Sequence, residues 1–213
     1  MKYKAAFIVI FLGIMLAACA NQPAIRPVTD TSTRLQYYGF SVLPPPGGYW
    51  YFAGEGKYGV NFGMGDPDKY KDRSNLTHTL ILEVSNLELE DEKGVWIVDS
   101  PEALRQATED LLQAQSRGRF HLSKFGLNPY RTQGTDCVRY NAVFEERENP
   151  RAPGVVLILN DRGFMCRHPD SDQRVVYAIC SERYKQGEKP FQDEELRQNI
   201  DQFFESIIFT DLP

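Results

Sequence analysis

Two cysteines in the second half of the chain have the spacing that a cross-strand disulfide requires. Residues 137–146 and 154–166 are strand candidates, and the Asn- and Pro-containing stretch between them predicts an antiparallel hairpin. If the turn centres near Arg151, Cys137 faces position 165, one residue from Cys166. Neighbouring strands supply the Cα separation of about 5.5–6 Å that a disulfide needs. The spacing therefore predicts a Cys137–Cys166 disulfide.

Cys180 offers an alternative pairing, because Cys166 and Cys180 also flank a hairpin turn. If Cys180 stays out of a disulfide, its place between Ile179 and Ser181 in a strand candidate predicts a small buried residue and not a nucleophile. The absence of a Cys-x-x-Cys motif argues against a thioredoxin-like redox site and against a zinc ribbon.

The three histidines, His78, His121 and His168, lack the spacings typical of zinc sites. His168 shares one turn with Asp170 and Asp172, a set that could hold a divalent cation. Such residues more often shape a polar hairpin turn, since Asp and Ser hydrogen-bond the backbone of their own turn. The sequence therefore predicts no metal and no cofactor.

Motifs of other enzyme and binding classes are also missing from the sequence. There is no Gly-x-Ser-x-Gly elbow, no Walker A loop and no dinucleotide fingerprint. The glycines at 54, 56 and 59 lie between two strand candidates, which predicts a hairpin loop and not a phosphate cradle. The formal charge of −5 argues against nucleic acid as a partner.

The amino terminus has the layout of a secretory signal. Lys2 and Lys4 precede an uncharged apolar run over residues 5–15. Leu16-Ala17-Ala18-Cys19 then resembles the lipobox of bacterial lipoprotein precursors, and this resemblance implies removal of residues 1–18 and acylation of Cys19. The alternative, an uncleaved transmembrane helix, would need roughly 20 apolar residues. The expected partner of the acylated Cys19 is the lipid bilayer.

Residues 19–34 are expected to form a lipidated flexible tether, because residues 20–34 are rich in Asn, Pro, Thr, Ser and Asp and contain little to bury. Ala20 stands where lipoproteins kept at the inner membrane carry Asp. By resemblance to that sorting rule, we expect an outer-membrane lipid anchor with the protein facing the periplasm.

Residues 35–213 have the pattern of one α+β domain with an antiparallel sheet. Short apolar or alternating runs separated by turn residues predict strands, the longest of which in the first half covers residues 78–89. The clearest helix starts at Asp99 or Ser100 with Pro101 in its first turn, and it presents an apolar face. That face is predicted to comprise Leu104, Ala107, Leu111 and Ala114. A last helix begins near residue 192 and buries Leu196, Ile200 and Phe203.

Phe40, Val42 and Pro44, followed by Gly48 and Trp50, are similar to the start of PsbP-like domains. The order of a mid-chain helix, a long antiparallel sheet and a closing helix extends this resemblance over most of residues 35–210. The resemblance implies an α/β/α sandwich and a role as an accessory or assembly factor. It implies no catalytic residue.

The aromatic segment over residues 37–51 is the candidate recognition patch, with Tyr38, Tyr49, Trp50 and Tyr51 as its members. Ordinary core and edge packing is the more common role of such side chains and is the competing interpretation. Together these observations favour a lipid-anchored, non-catalytic binding or accessory module of the cell envelope that contacts a protein partner or a ligand. The alternative function is a hydrolase acting on peptidoglycan or lipid.

Overall fold

The computed structural model describes residues 26–47, 49–64, 79–91, 94–150, 152–188 and 194–212. Cys19, the predicted signal and His78 lie outside these ranges. The described strands are β1 (Arg26–Pro27), β2 (Leu35–Tyr37), β3 (Phe40–Val42), β4 (Trp50–Gly56), β5 (Gly59–Met64), β6 (Thr79–Glu88), β7 (Glu90–Asp91), β8 (Gly94–Val95), β9 (Phe120–Thr132), β10 (Thr135–Glu146), β11 (Leu157–His168), β12 (Ser171–Lys185) and β13 (Ile208–Phe209). The described helices are α1 (Pro101–Gln115) and α2 (Glu194–Glu205). The architecture is α+β, as the sequence predicts.

Eight of the described strands form one antiparallel sheet in the order β1-β4-β5-β6-β12-β11-β10-β9. Each of the long hairpins pairs sequential strands, which short polar turns permit. The central strand β12 is buried on both faces from Val175 to Cys180, and this explains its unbroken apolar run. Two small sheets, β13-β3-β2 and β7-β8, complete the described strands.

The two helices pack on opposite faces of the large sheet. On face A, the side of Val176 and Ala178, the core includes Ile200 and Phe203 of α2. On face B, the side of Val175 and Tyr177, the core includes side chains of α1. Neither helix in the described ranges has both the length and the apolar composition that a membrane span requires.

Helix α1 begins as predicted but buries a different face. Ser100 is the N-cap, and its Oγ accepts a hydrogen bond from the Ala103 amide at 3.2 Å. Leu104 and Ala107 are buried as expected, whereas Ala114 is exposed and Leu111 is only partly buried. Leu112 is buried instead, together with Thr108. Thr108 can be buried because its hydroxyl donates a hydrogen bond to the Leu104 carbonyl at 2.8 Å.

Strand β9 forms one edge of the large sheet, and the sequence did not indicate it. Gly126 and Pro129 interrupt its apolar pattern. Both are tolerated because, among the described strands, β9 pairs with β10 alone. A register shift between Val143 and Phe144 of β10 adds a bulge to this pair.

Residues 26–34, which the sequence assigns to the tether, contact the domain. Arg26 and Pro27 pair with β4, and the Val28 amide donates a hydrogen bond to the Trp50 carbonyl at 2.9 Å. Asp30 accepts hydrogen bonds from Ser32 and Thr33 in an Asx turn, and these hydrogen bonds lower the pKa of its carboxyl. The tether prediction therefore does not hold for this part of the chain.

Candidate functional site

The predicted disulfide is present and lies in the core of face A. Cys137 and Cys166 face each other in the register of β10 and β11, with their Cα atoms 4.0 Å apart. Both residues are buried, at 2% and 0% exposure. The disulfide is therefore a structural bond and not an accessible redox site.

Cys180 also lies in the face A core and is a buried thiol. Burial raises its pKa to about 12. A thiol with so high a pKa and no solvent contact is a poor nucleophile.

The four members of the predicted aromatic patch do not form one surface. Trp50 is 3% exposed in the core, and its indole N–H donates a hydrogen bond to the Pro46 carbonyl at 3.1 Å. Tyr49 projects into solvent with 75% exposure and a positive φ of 74°. Tyr51 points to the other face of the sheet from Trp50, because neighbouring residues of a strand alternate. Tyr38 lies at the far end of β4, where it contacts Tyr58.

The turn with His168, Asp170 and Asp172 does not assemble a cation site. His168 is buried, and its Nε2 lies 2.8 Å from the Gly39 carbonyl oxygen. The Asp170 amide donates a hydrogen bond to His168 Nδ1, so both ring nitrogens have partners. Asp172 forms an ion pair with Arg167 at 2.7 Å. Within the described residues, no cluster of three metal-ligating side chains occurs.

A groove of about 490 Å³ lies on face A beside α2. Helix α2 covers the β4–β12 half of this face, whereas the strands β9, β10 and β11 extend beyond it. The groove forms where this uncovered sheet meets the side of α2 and the segment that follows it. Its lining residues are Asn128, Tyr130, Thr132, Gln133, Arg139, Tyr140, Asn141, Arg162, Gly163, Phe164, Asp201, Phe204, Glu205, Ile207 and Phe209.

Aromatic rings form the apolar part of the groove. The Tyr130 and Phe164 rings meet edge to face with their centroids 6.4 Å apart. Phe164 contacts Phe204 of α2 in the same way at 5.7 Å. The rings thus connect the edge strand β9 to the helix, and they offer a continuous surface for apolar or planar groups.

Positively and negatively charged side chains also line the groove. The Arg139 guanidinium lies over the Tyr130 ring, 4.9 Å from its centroid. Arg162 is held by Asp201, with 2.8 Å between Nη1 and Oδ1. Among the described residues, neither Arg139 nor Glu205 has an oppositely charged group within 4 Å. The groove therefore presents one cation and one carboxylate that intramolecular ion pairs leave available.

Tyr130 is part of this electrostatic arrangement. Partial burial raises its pKa, although the neighbouring Arg139 opposes the shift. Tyr130 is therefore a neutral hydrogen-bonding ring at neutral pH. It also supports the guanidinium of Arg139 through a cation–π contact.

Sequence reasoning missed the groove because its residues come from distant segments. Asn128 and Tyr130 lie on the edge strand that the sequence did not indicate, and Arg139 and Asn141 are exposed positions on the next strand. Cys137, Arg139 and Asn141 lie on the same face of β10. Cys137 is buried in the core, and the two polar residues that follow it on this face are a signal in the sequence that the face becomes exposed there.

A second buried titratable group lies on face B. Asp161 of β11 is 5% exposed, and burial raises the pKa of its carboxyl to about 6, although a hydrogen bond from Ser181 opposes this. Its Oδ1 has no hydrogen-bond partner among the described residues. Asp161 is paired with Ala142 and Ser181, on the opposite side of the sheet from the groove.

No protein-family profile matches this chain, and no curated protein sequence matches it significantly.

Proposed function

We propose that this protein is a lipid-anchored, non-catalytic binding module of the bacterial cell envelope, and that the groove beside α2 holds a segment of a protein partner. The observation that carries the binding role is that the groove lining combines aromatic rings with two charges, Arg139 and Glu205, that have no ion pair among the described residues. A ligand that complements both charges must itself carry both signs. A polypeptide does so, whereas a polyanion such as nucleic acid does not.

The composition of the groove supports binding over hydrolysis. Among the described residues, its lining includes no serine, cysteine or histidine, so Ser–His and Cys–His nucleophile–base pairs are not assembled there. Of its two carboxylates, Asp201 is held in an ion pair with Arg162. The carboxyl with the raised pKa, Asp161, lies on the other face of the sheet, where it cannot act on a ligand in the groove.

The anchor is proposed from the sequence layout. The Lys2–Lys4 charges, the apolar run and the Leu-Ala-Ala-Cys19 motif support acylation of Cys19 and retention at the outer membrane, facing the periplasm. Removal of residues 1–18 changes the formal charge from −5 to −7. The lipid, and not overall charge, then holds the protein at an anionic bilayer.

The PsbP-like resemblance supports an accessory role. One helix on each face of an antiparallel sheet is compatible with the α/β/α sandwich that the resemblance implies. The resemblance covers loose structural motifs only, so the proposed partner-binding role depends on the groove.

Site-specific photocrosslinking in cells tests the binding role. A photoreactive amino acid at Asn141, an exposed groove position, is expected to capture one recurrent protein, whereas the same residue at Gln113 on the exposed side of α1 is not. Arg139→Glu is expected to reduce capture from position 141 by roughly tenfold or more, because it reverses the groove's available cation. Equal capture from both positions, or capture that Arg139→Glu leaves unchanged, would contradict the proposal.

The anchor is tested separately. Cys19→Ser is expected to abolish metabolic labelling with palmitate and to release the protein from the membrane fraction. A Cys19→Ser chain that stays in the membrane fraction would show that an uncleaved helix holds it.

A further inference from the structure

The domain meets the N-terminal segment at one edge of the sheet. Strand β1 pairs with β4, and the Arg26 guanidinium forms an ion pair with Glu55 at 2.6 Å. Arg26 also lies over the Phe52 ring, with its Cζ atom 3.8 Å from the centroid. These contacts fix the point at which the chain from Cys19 joins the domain, beside the β4–β5 hairpin.

The chain between Cys19 and Arg26 is short. Seven residue steps span at most about 25 Å even when fully extended. If Cys19 is acylated, as proposed above, Arg26 cannot lie farther than this from the acyl region of the bilayer. The lipid headgroups occupy roughly 5–8 Å of that distance. The sheet edge formed by β1 and β4, with the adjoining β4–β5 hairpin, is therefore the part of the described structure to which the anchor is most closely tethered.

An aromatic and basic cluster occupies this end of the domain. We call it the hairpin cluster and define it as Tyr38, Lys57, Tyr58 and Arg174. The two tyrosine rings meet edge to face at 5.2 Å, and the Tyr38 amide donates a hydrogen bond to the Lys57 carbonyl. The Lys57 ammonium lies 4.8 Å from the Tyr38 centroid and 5.1 Å from that of Tyr58. The Arg174 guanidinium lies 5.0 Å from the Tyr38 centroid.

Two members of the hairpin cluster are open to a partner. Tyr58 is 45% exposed, and Lys57 is exposed at the tip of the hairpin. Arg26 and Arg174 are neutralised by Glu55 and Glu88. Lys57 has no carboxylate within ion-pair distance among the described residues. Lys57 is thus the charged member of the hairpin cluster that no ion pair among the described residues neutralises, in a protein whose overall charge is negative.

This combination fits the interfacial layer of a bilayer. Tyrosine has an apolar ring and a polar hydroxyl, and it is enriched where a membrane meets water. A basic side chain near the surface of an anionic bilayer contributes about 1 kcal/mol of attraction. The acidic remainder of the domain is repelled by the same surface. Both effects favour the orientation in which the hairpin tip faces the lipid.

We propose that Lys57 and Tyr58 dock against anionic lipid headgroups next to the Cys19 anchor, and that this contact orients the domain on the membrane. This inference rests on the proposed acylation of Cys19. Six strand spacings separate β4 from β9, which places the groove side of the sheet about 30 Å from the docked edge.

The test uses the full lipidated chain in vesicles of phosphatidylethanolamine and phosphatidylglycerol, some of which carry a spin label in the headgroup. A fluorophore is attached to Gly56→Cys, where an added side chain meets no atom within 4 Å, or to Gln113→Cys on α1. Cys180 is buried, Cys137 is bonded to Cys166 and Cys19 is acylated in the lipidated chain, so only the introduced cysteine reacts. Strong quenching at position 56 and weak quenching at position 113 are expected.

Charge reversals provide the matched control. Lys57→Glu is expected to lower the ratio of docked to undocked protein, as reported by the fluorophore at position 56, by at least about fivefold. A change of this size corresponds to the loss of one basic contact with the bilayer. Lys124→Glu, the same change at an exposed position on the opposite edge strand, is expected to leave that ratio unchanged. Equal quenching at positions 56 and 113, or no effect of Lys57→Glu, would overturn the inference.

Flotation of the same vesicles distinguishes failure of the proposed anchor from failure of the proposed docked orientation. A lipidated chain that fails to float with the vesicles contradicts the proposed anchor. A chain that floats but shows equal quenching at both positions contradicts the docked orientation alone.

Discussion

The buried imidazole of His168 lies 2.8 Å from the carbonyl oxygen of Gly39. The Asp170 amide donates a hydrogen bond to Nδ1, so the ring proton is on Nε2. The Nε2–H group therefore donates a hydrogen bond to the Gly39 carbonyl oxygen. This hydrogen bond joins the end of β11 to the turn between β2 and β3, across 129 residues of sequence. The histidine thus ties two parts of the fold together that are distant in sequence.

Side chains of other segments lie close to Gly39, so adding a single methyl group at this position is expected to destabilise the protein strongly. A Cβ atom there would lie 2.5 Å from Asn86 Nδ2 and 2.9 Å from His168 Nε2, and the φ of +79° is strained for any L residue with a side chain. Gly118 has a similar φ of +62° but open space around it. Gly118→Ala is expected to cost about 1–2 kcal/mol of unfolding free energy, from the backbone alone.

Gly39→Ala is expected to cost about 1–3 kcal/mol more than Gly118→Ala, because the crowded side chains must also move. Urea denaturation of the two variants measures this difference. Equal losses would show that the neighbours of Gly39 shift without cost.

The Cys137–Cys166 disulfide closes a loop with a sequence separation of 29 residues. In the chain-entropy description, a loop of this length contributes about 3–4 kcal/mol to stability. The double variant Cys137→Ala/Cys166→Ala is expected to lose about that much unfolding free energy in urea. Cys180→Ala, which removes a buried sulfur without changing a cross-link, is the control and should lose clearly less.

Cys180 is expected to be unreactive in the native protein. Its side chain is fully buried, and burial raises its pKa to about 12, so little thiolate forms and no reagent reaches it. Iodoacetamide should modify Cys180 only after denaturant is added, as followed by mass spectrometry. Rapid modification of the folded protein would contradict the core position of this thiol.

The raised pKa of the Asp161 carboxyl predicts that the stability of the protein depends on pH. Its carboxyl has a pKa of about 6 in the folded protein against 3.8 in an unfolded chain, so the native state binds more protons between these values. The unfolding free energy should therefore fall as the pH rises from about 4 through 6, by about 3 kcal/mol in total. Asp161→Asn removes the ionisation, and its curve of stability against pH should lack this fall. Parallel curves for the two proteins would contradict the assignment to Asp161.

The sequence by itself determined the features that depend on nearby residues. Hairpin length sets the register of β10 against β11, and this register brings Cys137 opposite Cys166. The Ser100 cap with Pro101 sets the start of α1, since both act within one helical turn. Alternation and turn residues together determined the α+β class.

Only the tertiary structure decided which of these side chains are exposed and which meet. Trp50 is buried because β1, β5 and α2 pack around β4, and none of these contacts is visible in the local pattern. The same holds for the edge strand β9, whose Gly126 and Pro129 are tolerated because one side of the strand has no partner in the described part of the chain. The groove needs β9, β10, β11 and α2 together, and packing between segments so distant in the chain is decided by the whole fold.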